Sequence, residues 1–279
     1  MSSILRCGAY RLVLDRPLVM GIVNLTPDSF SGDGLVNDVD RAIRHARAQW
    51  EAGADILDVG AESTRPGIAP TSEAEELRRL LPVLAEVTRW GVPVSVDTYK
   101  PAVMKASIDA GAAMINDIAG LSQPGALEAV AGSDCGICVM HMQGEPAGMQ
   151  RAPVYVDVVA EVNAFLASVV ERCRGAGVAD DRLVLDPGFG FGKTLAHNTA
   201  LFHALEDMTR QALPVLVGVS RKTMLGEIVG RPVGERMPAS IAAAMLAAKK
   251  GAKIVRVHDV AATCDALKIL AALDGGEGK

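Results

Sequence analysis

Along this chain, short apolar runs end again and again on a polar residue just where a loop begins. Asn24, Asp97, Asn116, Asp186, Lys222 and His258 each stand at such a junction. This repetition constrains the fold more tightly than any composition figure. Many strand ends gathered on one rim describe the mouth of an active site at one end of a barrel. The runs lie at residues 18–23, 55–59, 93–96, 114–118, 136–140, 182–185, 215–219 and 254–257. Several are apolar at consecutive positions and rich in β-branched residues, as parallel strands covered on both faces should be.

Helical stripes separate the runs. Val39, Ala42, Ile43, Ala46 and Trp50 share one face, with Asn37 available as a cap. Ser72 and Glu75 have capping-box spacing ahead of Leu77, Leu80, Leu81 and Leu84, and Pro82 inside that helix predicts a kink. Val158, Val162, Phe165, Leu166, Val169 and Cys173 mark a third stripe. Alternating strands and helices are βαβ units. Eight such strands in 279 residues predict an α/β fold, a single closed (β/α)8 TIM barrel rather than an open doubly wound sheet. Residues 3–15 read as a short hairpin plugging the bottom of the barrel. The expected organisation is therefore one domain over 1–279, with the hairpin in 1–16 and the barrel in 17–274.

Loop lengths give the barrel a polarity. Helix-to-strand turns are tight and repeat Gly-Ala, at Gly53-Ala54, Gly111-Ala112, Gly175-Ala176 and Gly251-Ala252, where glycine can end a helix in the left-handed conformation. Loops after strands are long, notably 25–36, 61–71 and 142–155, which puts function at the carboxyl ends of the strands. The segment 241–248 is apolar all round. The barrel can cover one side of a helix there, and either a neighbouring helix or the partner subunit of a homodimer the other.

Composition narrows the function. A net charge of −5 argues against a nucleic-acid-binding surface, so an anionic small substrate needs basic residues concentrated locally. The amino terminus does not read as a secretion signal, and no run approaches the ~20 apolar residues that cross a bilayer. Neither nucleic acid nor membrane is an expected partner. Five scattered cysteines suit a reducing cytoplasm, and Cys135 and Cys138 read as thiols packed in or beside a strand rather than a redox or zinc pair. Two other motifs mislead. Gly188-Phe-Gly-Phe-Gly-Lys-Thr194 looks like a phosphate loop, but the spacing demands glycine where Pro187 stands. Gly218-Val-Ser220 opens like a nucleophile elbow but continues with Arg221 and Lys222.

Seven motifs occur in order: Asn24-Leu-Thr-Pro-Asp-Ser-Phe30, Asp58-Val-Gly-Ala-Glu-Ser-Thr-Arg-Pro-Gly67, Ser95-Val-Asp-Thr98, Ile115-Asn-Asp-Ile118, Asp186-Pro-Gly-Phe-Gly-Phe-Gly-Lys193, Ser220-Arg-Lys-Thr223 and Arg256-Val-His258. Together they resemble the dihydropteroate synthase family of pterin-binding TIM barrels, the folate-pathway enzymes targeted by sulfonamides. The resemblance implies a transferase that joins 4-aminobenzoate to (7,8-dihydropterin-6-yl)methyl diphosphate, releasing pyrophosphate with Mg2+ assisting. Sulfonamides would compete with aminobenzoate.

The residue chemistry matches. A pterin presents an amino group and ring N–H donors on one edge, a carbonyl and a ring nitrogen on another, so its seat needs several acceptors and a donor. Asp97, Asn116 and Asp186 supply acceptors, and Lys222 is the donor. Asp97 has a competing use as a helix cap before Thr98. Met140, Ile118 and Phe191 are candidate apolar walls. Arg256 and His258, two apart on one strand and so on one side of it, could meet the diphosphate with Arg65. By resemblance, Asn24 is the magnesium ligand, and Thr64 belongs to both substrate sites. Phe30, Thr64, Arg65, Pro66, Ser220 and Lys222 frame the aminobenzoate, with Ser220 on its carboxylate. Asp97, Arg65, Lys222 and His258 are the expected catalytic groups, Asp97 favouring a cation at the pterin methylene. The two long loops are expected to close over the mouth and exclude water. His141 need be no more than structural. A methyltetrahydrofolate–corrinoid methyltransferase would share the pterin acceptors without needing a diphosphate grip, and a non-catalytic paralogue would show holes in the constellation.

Overall fold

The computed structural model describes residues 4–26, 38–63, 68–146 and 148–274. Eight parallel strands form the barrel: β3 (Leu18–Asn24), β4 (Ile56–Gly60), β5 (Val94–Asp97), β6 (Met114–Asp117), β7 (Gly136–Met140), β8 (Leu183–Asp186), β9 (Leu216–Val217) and β10 (Ile254–Val257). They lie in the order β8-β7-β6-β5-β4-β3-β10-β9. A parallel bridge from Leu185 to Val215 joins the two ends, with Leu185 N donating to Pro214 O at 2.9 Å. Barrel closure makes the first barrel strand, β3, a neighbour of the last, β10, through pairs such as Met20 with Arg256. The ninth strand is shorter than the 215–219 expected, because only Leu216 and Val217 pair with β10.

Around the barrel run α1 (Val39–Glu51), α2 (Glu73–Val87), α3 (Pro101–Asp109), α4 (Ala126–Ala131), α5 (Val158–Gly175), α6 (Leu195–Thr209), α7 (Thr223–Val229), α8 (Met237–Lys249) and α9 (Val260–Asp274). The cap of α1 is Asp38, whose carboxylate accepts from Arg41 N at 2.8 Å; Asn37 lies outside the described residues. Ser72 caps α2 by accepting from Glu75 N, but the capping box is only half made. The Glu75 side chain turns outward to Arg78 and Arg79, where charge-assisted bonds are the stronger choice. The helix runs on through Pro82 to Val87. At three of the four Gly-Ala turns the glycine is left-handed as expected. At the other, α5 continues through Gly175 and the left-handed residue is Gly177 (φ +82°).

Alternation sorts the strand residues into two cores. Outward residues such as Val23, Leu57, Val96, Ile115 and Ile137 pack under the helices. Inward residues Met20, Ile56, Met114, Cys138, Val184, Leu216 and Ile254 fill the lower barrel. The antiparallel hairpin of β1 (Ile4–Cys7) and β2 (Tyr10–Val13) closes the bottom, placing Leu5, Cys7 and Leu14 in that inner cluster. The fit is close: a Cβ on Gly136 would lie 2.6 Å from Cys7 Sγ.

Four of these inward columns turn polar two residues higher. Ile56 gives way to Asp58, Met114 to Asn116, Val184 to Asp186 and Ile254 to Arg256. Period-two alternation therefore delivers the polar groups into the barrel mouth rather than under the helices. All five cysteines are free thiols, and Cys135 and Cys138 are buried. No helix among the described residues is long and apolar enough to cross a membrane. In the lone chain α8 buries Ala244 and Ala247 but leaves Leu246 48% exposed, and Ile269 (57%) and Leu273 (80%) of α9 are also open.

The hairpin serves stability and the opposite end holds the polar groups. Leu5→Ala should therefore lower unfolding free energy by about 2–5 kcal/mol in urea titrations while leaving ligand binding at the mouth unaltered.

Candidate active site

A cavity of about 630 Å³ opens at the carboxyl ends of the strands. It is lined by Asn24, Asp97, Asn116, Asp186, Ser220, Lys222, Arg256 and His258, together with Ile118, Met140 and Phe191. Phe30, Thr64, Arg65 and Pro66 lie outside the described residues, as do residues 27–36 and 64–67 of the loops expected to close over the mouth.

At its floor sits a buried charge cluster. Arg256 Nε donates to Asp58 Oδ2 at 2.6 Å, and its NH2 donates to Asp97 Oδ2 at 2.9 Å. Asp58 is fully buried and also accepts from Asn116 Nδ2 at 3.2 Å. That bond orients the Asn116 amide and takes one of its two N–H donors, and its oxygen remains the group that can accept from a ligand. Arg256 was expected to meet an anion, yet two of its donors are taken by carboxylates from β4 and β5. Asp58 escaped the sequence reading as a site residue although it opens one of the quoted motifs. Its inward position one alternation above Ile56 was the available signal. Asp97 does not cap α3; Lys100 occupies that position, and the Asp97 carboxylate turns into the barrel. Burial pushes the Asp97 acid up to about 7, with Asp58 adding and Arg256 opposing.

Asp186 is held from its own loop, its Oδ1 accepting from Gly188 N at 2.7 Å. Gly188 is left-handed (φ +70°), and a Cβ there would lie 1.9 Å from His141 O, so only glycine lets the loop press against the end of β7. Burial raises the Asp186 pKa, and Lys222 opposes that shift. The Lys222 ammonium donates to the Phe189 carbonyl and stands 4.4 Å over the Phe191 ring. Burial lowers its pKa to about 8, with Asp186 favouring the charged form.

Ser220 and His258 meet across the ends of β9 and β10. Ser220 Oγ accepts from His258 N at 3.2 Å and lies 3.0 Å from Nδ1. Between Ser220 and Lys222, Arg221 adopts a left-handed conformation (φ +58°) rare outside glycine. Its guanidinium forks onto Asp259 at 2.6 and 3.1 Å, and its N–H donates to Ser240 Oγ at 2.8 Å. These long-range partners hold a backbone state that sequence alone does not announce.

Two lysines were missed. Lys193 is buried and bonds to carbonyls of its own loop. Lys100 bridges Glu62 at the cavity rim to the fully buried Glu76 of α2. His141, read as needing no more than a structural role, turns its Nδ1 to Lys193 Nζ at 3.0 Å, and burial together with that ammonium lowers its pKa to about 3. No trio of His, Cys, Asp or Glu placed to cage a metal occurs among the described residues.

A family model described as pterin binding enzyme matches residues 20–258. A dihydropteroate synthase of Escherichia coli (strain K12) is 50% identical over 270 residues, which covers 96% of each chain. Among solved structures, Yersinia pestis dihydropteroate synthase in a sulfonamide drug complex aligns with a TM-score of 0.94 at 48% identity, covering 98% of this chain and 100% of that one. Burkholderia cenocepacia dihydropteroate synthase complexed with 7,8-dihydropteroate aligns with a TM-score of 0.90 at 48% identity, covering 98% and 97%.

Removing one partner from a buried ion pair costs about 3–5 kcal/mol. Asp58→Ala strips Arg256 of one carboxylate and Asn116 of its acceptor, so a loss of that order is expected in denaturant titrations. A stability within about 0.5 kcal/mol of the parent chain would remove Asp58 from the centre of the site.

Proposed function

This chain belongs to the pterin-binding enzymes and, within them, to the dihydropteroate synthases, and from that premise we propose that it joins 4-aminobenzoate to (7,8-dihydropterin-6-yl)methyl diphosphate. The products are 7,8-dihydropteroate and pyrophosphate. The observation that carries the reading is the gathering of Asp97, Asn116, Asp186 and Lys222 on one cavity whose upper wall holds His258 and Ser220. Acceptors and a donor are thus disposed around a space for a flat, hydrogen-bonding heterocycle.

Asp186 and Asn116 take the donor edges of the pterin, and Lys222 gives to its carbonyl and ring nitrogen. Ile118, Met140 and Phe191 supply the apolar walls. The reacting bond joins the pterin methylene to the diphosphate oxygen. Its cleavage runs ahead of attack, because the dihydropterin ring delocalises the positive charge and the Asp97 carboxylate favours it electrostatically. His258, Arg65 and Arg256 border the departing pyrophosphate. The aminobenzoate nitrogen is uncharged at neutral pH and needs placement more than a base. Ser220 holds the aminobenzoate carboxylate and the Lys222 stem covers the ring, while Phe30, Thr64, Arg65 and Pro66 complete the seat by similarity to the family. Sulfonamides take the same seat.

A single amide oxygen suits a hard ion that keeps several waters and takes its other ligands from the substrate. Asn24 at the cavity wall offers one amide oxygen, the diphosphate would supply further ligands, and Mg2+ so held would stabilise charge on the leaving group. Five free thiols fit a reducing cytoplasm. The open apolar residues Leu246, Ile269 and Leu273 support a homodimer joined through α8 and α9.

Mixing the purified chain with pterin diphosphate, aminobenzoate and Mg2+ should release pyrophosphate only when aminobenzoate is present. Absence of that dependence would favour the methyltransferase-like reading. Protonating Asp97 removes its carboxylate, so kcat/KM for the pterin substrate should fall as pH drops through about 7. Asp97→Asn should flatten that limb, and an unchanged pH profile in the variant assigns the titration elsewhere. In sedimentation the chain should run at twice its 29.2 kDa mass, and Leu246→Lys should return it to a single subunit. A parent chain that stays at the single mass at every concentration would falsify the dimer.

A further inference from the structure

The glycine-rich segment after Asp186 fails the spacing of a phosphate loop, and its terminal lysine shows what the segment does instead. In a phosphate loop the backbone N–H groups point at an anion. Here the carbonyls point at a cation. Lys193 Nζ lies 2.9 Å from Gly188 O, 3.0 Å from Phe191 O, 3.3 Å from His141 O and 3.0 Å from His141 Nδ1. The side chain is buried, with the residue only 3% exposed. Three ammonium protons therefore face four acceptors, and the imidazole must present a lone pair at Nδ1. Burial and Lys193 both disfavour the charged imidazole, which keeps His141 neutral and able to accept.

A buried ammonium is tolerated only when its donors are satisfied, and this one is satisfied by groups that shape the cavity. Gly188, whose carbonyl it holds, gives its N–H to Asp186 Oδ1. Phe191, whose carbonyl it also holds, lies beneath Lys222, while the neighbouring Phe189 carbonyl receives the Lys222 ammonium. His141 directly follows the cavity residue Met140. Without the ammonium, three carbonyl oxygens and a ring nitrogen would face one another across a buried space. That arrangement is electrostatically unfavourable, and the loop would have to open.

We propose that Lys193 is a positioning residue for the pterin subsite: its ammonium is the cation around which the Asp186 loop folds, and the cradle left by its removal accepts a small free ammonium ion. The proposal rests on the pterin reading of the cavity. Its effect should fall chiefly on the pterin, because Asp186 and Phe191 frame that substrate alone, and of the groups around the aminobenzoate only Lys222 rests on this loop.

The test measures binding of a pterin by calorimetry, without turnover, beside the KM for each substrate. Lys193→Ala should weaken pterin binding tenfold or more and change the aminobenzoate KM by no more than about threefold. Ammonium or methylammonium chloride should restore most of the lost affinity. Tetramethylammonium chloride at equal ionic strength should not, being too large and lacking N–H donors. Lys193→Met, whose stem still fills the cradle, should be as weak as Lys193→Ala but without rescue. Pterin affinity unchanged in Lys193→Ala, an equal loss for both substrates, or a loss that no small amine restores would each overturn the proposal. Should Lys193→Ala fail to fold, His141→Ala withdraws one acceptor and leaves the lysine in place. It should weaken the pterin alone by about threefold, and unaltered or equally lowered affinities would overturn the proposal there too. A parent chain that binds no pterin would instead sink the functional reading, whatever Lys193 does.

Discussion

Arg256, with its guanidinium between Asp58 and Asp97, makes the rest of this barrel mouth possible. Two like charges about 4 Å apart repel by roughly 4 kcal/mol where the effective dielectric constant is near 20. Asp58, Asp97 and Asp186 all lie close enough to Arg256 to favour its charge, so without that cation the floor of the cavity could not hold them ionised. A guanidinium suits the task better than an ammonium, because its rigid fork sends two donors to two carboxylates on different strands. Both carboxylates raise the Arg256 pKa, so the cation is permanent.

The remaining polar groups follow from that centre. Asp58 faces Arg256 and fixes the Asn116 amide, which decides the side of Asn116 that a ligand meets. Asp97 shares the same cation and, being buried, holds a proton up to about pH 7. Lys222 and Lys193 are shifted the opposite way by the same cause, to about 8 and about 7. Acids rise and bases fall because burial penalises charge of either sign. A cavity prepared in this way carries little net charge and many directional hydrogen-bonding groups. That suits a polar heterocycle better than a fully solvated ion.

The two ends of the barrel divide the work. Below, Leu5, Met20, Met114 and Ile254 form an apolar plug closed by the hairpin. Above, inward columns such as those of Met114 and Ile254 turn polar, and loops at that end are pinned by long-range contacts: Arg221 to Asp259, Lys100 to Glu62 and Glu76, Lys193 to His141. The apolar plug lies away from the cavity, and the mouth keeps strained and charged groups. The left-handed Arg221 backbone is one such group, held by Asp259 and Ser240 rather than by any local preference.

Much of this was legible in the residues themselves. Apolar runs ending on polar groups announced the strands and the rim, and the loop lengths announced which end of the barrel carries function. Strand alternation is a local, periodic property, so the positions of Asp97, Asn116, Asp186 and His258 could be read one segment at a time. What pairs with what could not be read that way. The capture of Arg256 by Asp58 and Asp97, the turning back of Lys193 onto its own loop, and the left-handed state of Arg221 depend on groups up to 198 residues apart in sequence. Composition and spacing settled which chemical groups reach the mouth of the barrel. Only closure of the sheet, which sets β10 beside β3 and buries the floor of the cavity, decided which charges neutralise one another there. Coulombic pairing depends on distance and burial in three dimensions, and neither is a property of a sequence window.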